Sequence, residues 1–434
     1  MKTIGFPQKA LAVLLAILLI LPAASGAAAA GGKDYAIINP YETVDWDTWK
    51  PFKANLHTHS TASDGTAHLD KMVEAHYAKG YDILAMTDHG VVNRGWNKKP
   101  QPVPIVSFFA LVIEPQYMAD ERYAEITAGT DRGGRGMLDV PYGIELNALT
   151  IRLTHVNGFF ADYGQGLLGR ENDFETPIAG VDAAGGLTHI NHPGYWLNSS
   201  DHPEMATDPK NIRFFGDILK KYKSCLGLEV VIENDRATLY DRVLWDGLLE
   251  YVIPYGRNVF GFANSDTHSI SSIDTAFELF MMPENTVANL RTAMENGTFF
   301  ACSRNARREL GDEFVSSGDC PSVTRVTVDN AGGRITLEGK DFTEIQWVAD
   351  GEVIATGNTV DLNEYEGQIG CYVRAQLLGP GGICFTQAFI LDDGGEPPVD
   401  PEVPILTQLW NKIVFWLTST KIYVLFEKLA DMLD

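Results

Sequence analysis

The chain has 434 residues, 45% hydrophobic and 21% charged, an ordinary globular mix with material for more than one domain and a sizeable core. Its formal net charge is -23. Such a surface repels phosphate backbones and excludes general nucleic-acid binding, so an anionic substrate would need a local positive centre of the kind a bound metal provides.

Lys2 and Lys9 form a basic start, an apolar run follows from Ala10 to Leu21, and then come Pro22 and the small residues AASGAAAAGG. Basic, apolar, then small is the pattern of an export signal, and the run is short for a bilayer span. Residues 1–30 are expected to be a signal peptide cut between Ala24 and Ala30. A retained N-terminal anchor is the alternative. Either way the protein is expected to be exported, and extracellular or associated with the cell surface.

From Phe52 to about Gly311, apolar strand-like runs alternate with helical patterns. KANLHTH, YDILAMTDHG, GLTHINHPG, CLGLEVVIEN and NVFGFANSDTH read as strands that end in polar residues. HLDKMVEAHYAKG and VANLRTAMENG read as helices, each with the terminal glycine that commonly stops one. The alternation predicts an α/β domain over residues 31–315 with a mostly parallel sheet or barrel. After about Cys320 the pattern changes to short alternating strands separated by turn signals such as Asp350-Gly351, which predicts a small β-sandwich over 320–392. Residues 393–404 form a Pro-rich acidic linker. Residues 405–434 read as an amphipathic helix, because Thr418 to Lys421 interrupts the apolar run. That helix either docks on its own protein or contacts a membrane surface or a partner.

Five cysteines are present and none forms a CxxC pair, so a cysteine zinc site is not indicated. An exported protein could oxidise some of them, and the odd count leaves at least one over. Cys371 and Cys384 share the strand-rich segment and are the expected pair, although spacing alone does not establish it.

The histidines gather at the ends of apolar runs. His57 and His59 stand at i and i+2, which on a strand project from one face, so both can reach one ion. A surface histidine pair is the plain alternative. His89 follows the buried run DILAM, and Asp88 beside it is placed to hydrogen-bond a neighbouring imidazole. Glu145 lies inside an apolar stretch and needs a cation or several donors. A metal or an arginine would serve. His155 lies among apolar residues, where a lone histidine is more often core than ligand. His192 lies in NHPG. Asp266 and His268 in NSDTH repeat the i, i+2 spacing. In α/β sheets and barrels, the carboxyl ends of strands carry the active site, so these positions can converge. Clusters of this type suit Zn²⁺, Mn²⁺ or Fe²⁺, and their ligand number exceeds one tetrahedral ion. Two or three divalent ions are expected. Arg132, Arg135 and Arg257 are read as phosphate clamps or, with more weight, as structural arginines.

HTHSTASDG, TDHG, GIE followed by His155, NHPG and SDTH, in this order, resemble the motifs of the PHP (polymerase and histidinol phosphatase) family over about Lys53 to Cys302. The resemblance implies a distorted (β/α)7 barrel with a trinuclear metal centre and phosphoesterase activity. It implies one ion on His57, His59, Glu145 and Asp266, a second on Glu145, His155 and His192, and a third on His89 and His268. Asp64 stands where many relatives carry another histidine and joins the set as a ligand. Glu145, His89 and Asp266 are the residues implied to carry catalysis. Glu229 matches a recurrent acid of open role. The implied reaction is hydrolysis of a small phosphorylated substrate, such as a nucleotide or sugar phosphate, by a metal-activated water. A hydrolase of another bond, such as an amide, and a non-catalytic surface binding protein are the alternatives.

Overall fold

The computed structural model describes residues 35–102, 116–147, 154–164 and 173–399, together with Leu406 and Leu409. The expected signal peptide and the expected terminal helix lie outside the described residues, apart from those two exposed leucines. Among the described residues, no helix is long and apolar enough to cross a membrane.

The fold is mixed α/β. Seven strands position the site: Lys50–Asn55, Ile83–Leu84, Ile144–Leu146, Val156–Phe159, Leu187–Ile190, Cys225–Val231 and Phe260–Ala263. The first two pair in parallel within an 11-stranded sheet, and the other five form a sheet of their own. The expected distorted (β/α)7 barrel is therefore not one continuous ladder among the described residues. The two sheets meet through two isolated parallel bridges, Thr58 to Thr267 and His89 to Glu145. Both bridges fall among the candidate ligands, so the gap in the ladder is closed only at the site. The sheet is also less parallel than expected, because Val156–Phe159 runs antiparallel to both neighbours. That reversal explains His155. The other histidines follow a strand, whereas His155 precedes one, and an antiparallel strand brings its start to the same end.

The helices follow from their patterning. In Leu69–Ala78, Leu69, Met72, Val73, His76 and Tyr77 are buried at the spacing of one helical face. Val287–Asn296 ends at Gly297, whose φ of 71° is the left-handed conformation that favours glycine. A Cβ there would also lie 2.3 Å from the Phe260 ring. An apolar cluster draws Ala54, Ile83, Phe159, Leu187, Leu226 and Phe262 from six of the seven strands and lies among them.

The C-terminal strands differ from an independent sandwich. One layer, Ser322–Asp329, Arg334–Lys340 and Thr359–Asp361, is a separate three-stranded sheet. The other continues into the N-terminal half: Tyr372–Gly379 pairs with Gly382–Phe385, which pairs with Phe299–Ser303. The continuity arises because Ile383, Cys384 and Phe385 are wholly buried between two strands and leave no exposed edge at which a domain could end.

Candidate metal centre

The HTH segment is locked by its backbone. His59 N–H donates to Thr267 O at 2.9 Å, and Thr267 N–H donates to His57 O at 3.2 Å. This pairing sets His57 and His59 beside Asp266 and His268, although more than 200 residues separate them in the chain. The following turn is held by Asp88, which accepts from Ser60 N–H at 2.6 Å and from the hydroxyls of Ser60 and Ser63 at 2.8 Å each. Asp88 therefore binds the serines of the turn rather than an imidazole directly, contrary to the expectation. It acts through Ser63, whose hydroxyl lies 3.2 Å from His59 Nδ1.

The nine expected ligands converge, with Glu145 at their centre. Its Oε2 lies 3.3 Å from His57 Nε2, 3.2 Å from His59 Nε2 and 2.9 Å from His89 Nδ1. Its Oε1 lies 3.0 Å from His155 Nδ1 and 3.5 Å from His192 Nε2. Asp266 Oδ1 lies 3.2 Å from both His57 Nε2 and His59 Nε2. Asp64 places one oxygen 3.4 Å from His268 Nε2 and the other 3.5 Å from His89 Nε2. His89 thus stands between Glu145 and Asp64 and offers a different nitrogen to each. The ligand atoms fall into four overlapping groups: His59, Asp64, His89 and His268; His57, His59 and Asp266; His57, Glu145 and His192; and His89, Glu145 and His155. This grouping differs from the implied one in setting His192 with His57 and giving His155 the company of His89.

The donor set fits divalent ions. His57 Nε2, His59 Nε2, His89 Nδ1, His155 Nδ1 and Glu145 Oε2 are buried without a hydrogen-bond partner. Each such atom costs about 1–3 kcal/mol if left unsatisfied. Two ligands about 2.1 Å from one tetrahedral ion stand about 3.4 Å apart. Most of the nitrogen–oxygen separations at the site lie between 3.2 and 3.5 Å, with geometry unsuited to direct hydrogen bonds.

Charge is arranged to match. Burial disfavours a charged His57, but Glu229, Asp266 and Glu145 outweigh it and hold its pKa well above the ordinary value. His89 is raised well above as well, because Glu145 and Asp64 overcome its burial. Burial would raise Glu145, yet His155, His89 and His57 hold it well below the carboxylate range. His268 and His89 beside it hold the Asp64 carboxyl below its ordinary value despite its partial burial. His268 is pushed up to about 9, Asp64 and Asp266 outweighing its burial. Asp64, His268 and His89, with side chains 55%, 34% and 20% exposed, form the open rim. His192 and Asp266 have φ of 25° and 47°, left-handed values that are unfavourable away from glycine and that aim both side chains inward.

The sequence marked Glu229 without a role and missed Asn191 and Asn264. Glu229 proves to be an orienting residue: its Oε1 accepts from His57 Nδ1 at 2.8 Å and from Asn264 Nδ2 at 3.0 Å, and its Oε2 from His192 N–H at 3.1 Å. Asn191 donates to Glu145 Oε1 at 2.7 Å and to Asn157 Oδ1 at 3.0 Å. The available signal was an asparagine beside a ligand at an apolar strand end, in INHPG and ANSDTH. The arginines considered as phosphate clamps serve structure. Arg132 and Arg135 hold buried Asp82, and Arg257 donates to main-chain carbonyls including Tyr222 O.

Residues 55–226 match the family model of the PHP domain. The PHP match takes in His57, His59, Asp64, His89, Glu145, His155 and His192 and stops short of Glu229, Asp266 and His268. Among solved structures, the chain is similar to a two-domain protein of Bacteroides vulgatus containing a predicted PHP-like metal-dependent phosphoesterase. The identity is 15%, coverage is 83% of this chain and 91% of that one, and the TM-score is 0.41. It is similar to a lesion-specific endonuclease of Pyrococcus furiosus at 12% identity, with 56% of each chain covered and a TM-score of 0.33. It is similar to an amidohydrolase of Chromobacterium violaceum at 13% identity, with 50% of this chain and 87% of that one covered and a TM-score of 0.29. No curated protein matches the sequence.

Proposed function

We propose that the chain is an exported metal-dependent phosphoesterase that hydrolyses small phosphate esters, with nucleotides and sugar phosphates as the candidate substrates. The observation that carries this reading is the set of buried imidazole nitrogens and carboxylate oxygens that face one another around Glu145 without hydrogen-bond partners. Two or three divalent ions, Zn, Mn or Fe, would be held by His57, His59, Glu145, Asp266, His155 and His192 in the interior and by Asp64, His89 and His268 at the rim. Such ions supply positive charge that acidifies water and neutralises phosphoryl oxygens.

The chain's own residues do the rest. Glu145 turns one oxygen to His57, His59 and His89 and the other to His155 and His192, so a single carboxylate fixes the spacing between neighbouring ligand groups. Asp266 ties the HTH segment to the strand end that carries His268. Glu229 fixes the His57 tautomer, because an Nδ1 proton given to its carboxylate leaves Nε2 free as a ligand atom. His89 lies at the rim, where a substrate enters. No serine or cysteine nucleophile is required. Export is supported by the sequence of residues 1–30, and a membrane-surface or partner contact by the apolar content of residues 405–434.

The test is release of inorganic phosphate from a panel of nucleotides and sugar phosphates, with Mn²⁺ or Zn²⁺ and with a chelator. Metal-dependent release from at least one compound is expected. No release from any compound would overturn the phosphoesterase reading, and metal-dependent cleavage of an amide panel alone would replace it with the other hydrolase.

A further inference from the structure

Cys302, Cys320 and Cys384 come together where the half that carries the candidate metal centre meets the C-terminal strands. Cys302 lies on Phe299–Ser303, directly opposite Cys384 in its antiparallel partner Gly382–Phe385. Cys320 comes from the segment that leads into the three-stranded sheet. Its Sγ lies 3.4 Å from Ile383 O and 3.9 Å from Ser303 O, the neighbours in sequence of Cys384 and Cys302. The Cys302 thiol contacts both of the others, and burial pushes its pKa well up. Cys302 and Cys384 are fully buried, whereas Cys320 is partly exposed. Cys371 packs elsewhere, with its Sγ 3.8 Å from Leu249 O. The Cys371–Cys384 pairing expected from sequence is therefore not the one the fold brings close.

We infer that Cys320 and Cys302 form a dithiol site that reacts with a small-molecule disulfide of the glutathione class and closes to an intramolecular cross-link. The assignment rests on access and order. A reagent from solvent reaches Cys320 first, and Cys302 is the thiol next to it that contacts both others. The Cys320 thiolate attacks one sulfur of the oxidant, forms a protein–oxidant disulfide and expels one reduced thiolate. The Cys302 thiol then attacks the Cys320 sulfur, forms the Cys302–Cys320 bond and passes its proton to the second thiolate as it leaves. Both cysteines lose a proton, and the oxidant takes up the two electrons. Cys384 stays reduced. The cross-link staples the strand beside the site to the segment entering the three-stranded sheet, across the junction that the continuous sheet already spans.

The test treats the native full-length protein with oxidised glutathione, alkylates the remaining thiols without reduction, and maps linked peptides by mass spectrometry. The expected product is lighter by two hydrogens, joins the peptides of Cys302 and Cys320, and carries alkyl groups on Cys225, Cys371 and Cys384. Cys320→Ser, a change at a partly exposed position, is expected to abolish the link, while Cys371→Ser leaves its yield unchanged. A Cys302–Cys384 or Cys320–Cys384 link, a glutathione adduct stable on Cys320, or five alkylated cysteines would each overturn the inference.

Discussion

At the scale of single residues, the metal centre depends on groups that need touch no ion. Glu229 accepts from His57 Nδ1, Asn264 and the His192 backbone while fully buried. Glu229→Gln keeps the shape but replaces a carboxylate acceptor with an amide, which weakens control of the His57 tautomer. The expected result is a loss of metal affinity of about 10–100-fold, read by competition with a chromogenic chelator. An unchanged affinity would remove Glu229 from the site. The residues that gather at the site were legible in the sequence because histidine and acid at the end of an apolar run are costly unless used. Asn191 and Asn264 were not, since asparagine at a strand end is also ordinary turn chemistry. The direction of Asp88 was misread for a related reason. Ser60 and Ser63 compete for it, and only the folded turn shows that they win.

Among the elements, strand identity was easier to read than strand direction and closure. The five polar-ended runs became strands of the two facing sheets. The break in the ladder was not visible, because hydrogen-bond pairing between sheet edges leaves no mark on apolar patterning. The reversal at Val156–Phe159 was hidden likewise, since a short buried strand reads the same in both directions. The continuous sheet makes a prediction of its own. The helix Asp241–Val252 is tied to the strand Tyr372–Gly379 by Arg374, which donates to both Asp246 oxygens at 2.7 and 2.8 Å while 3% exposed. Asp246→Ala leaves a buried guanidinium without its counter-charge. A stability loss of about 3–5 kcal/mol is expected in chemical denaturation, with the two halves unfolding in one transition. A loss below about 1 kcal/mol would show that the junction does not carry that weight.

For the whole molecule, acid and metal set the limits of stability. Buried His76 donates from Nδ1 to Met72 O and accepts at Nε2 from Asn55 Nδ2, and burial pushes its pKa down to about 4. An unfolded chain protonates this residue near its ordinary value. As the pH falls below that value, the unfolded state takes up a proton that the native state refuses, so stability declines until about pH 4 and then levels. The full effect is about 3 kcal/mol. His76→Gln is expected to flatten the decline measured by urea denaturation between pH 7 and 4.5. A slope equal to wild type would assign acid sensitivity elsewhere, with buried His189, also lowered to about 4 by burial, as the next position to vary. Metal acts in the opposite sense at the centre. The carboxylates hold the pKa values of His57, His89 and His268 up, so loading must displace protons and strengthens as pH rises. The most direct measurement is elemental analysis of the full-length protein after chelation and reloading, beside His57→Ala. Two or three divalent ions per wild-type chain, and fewer in the variant, are predicted. Fewer than two ions in wild type, or equal content in the variant, would contradict a multi-metal centre built on His57.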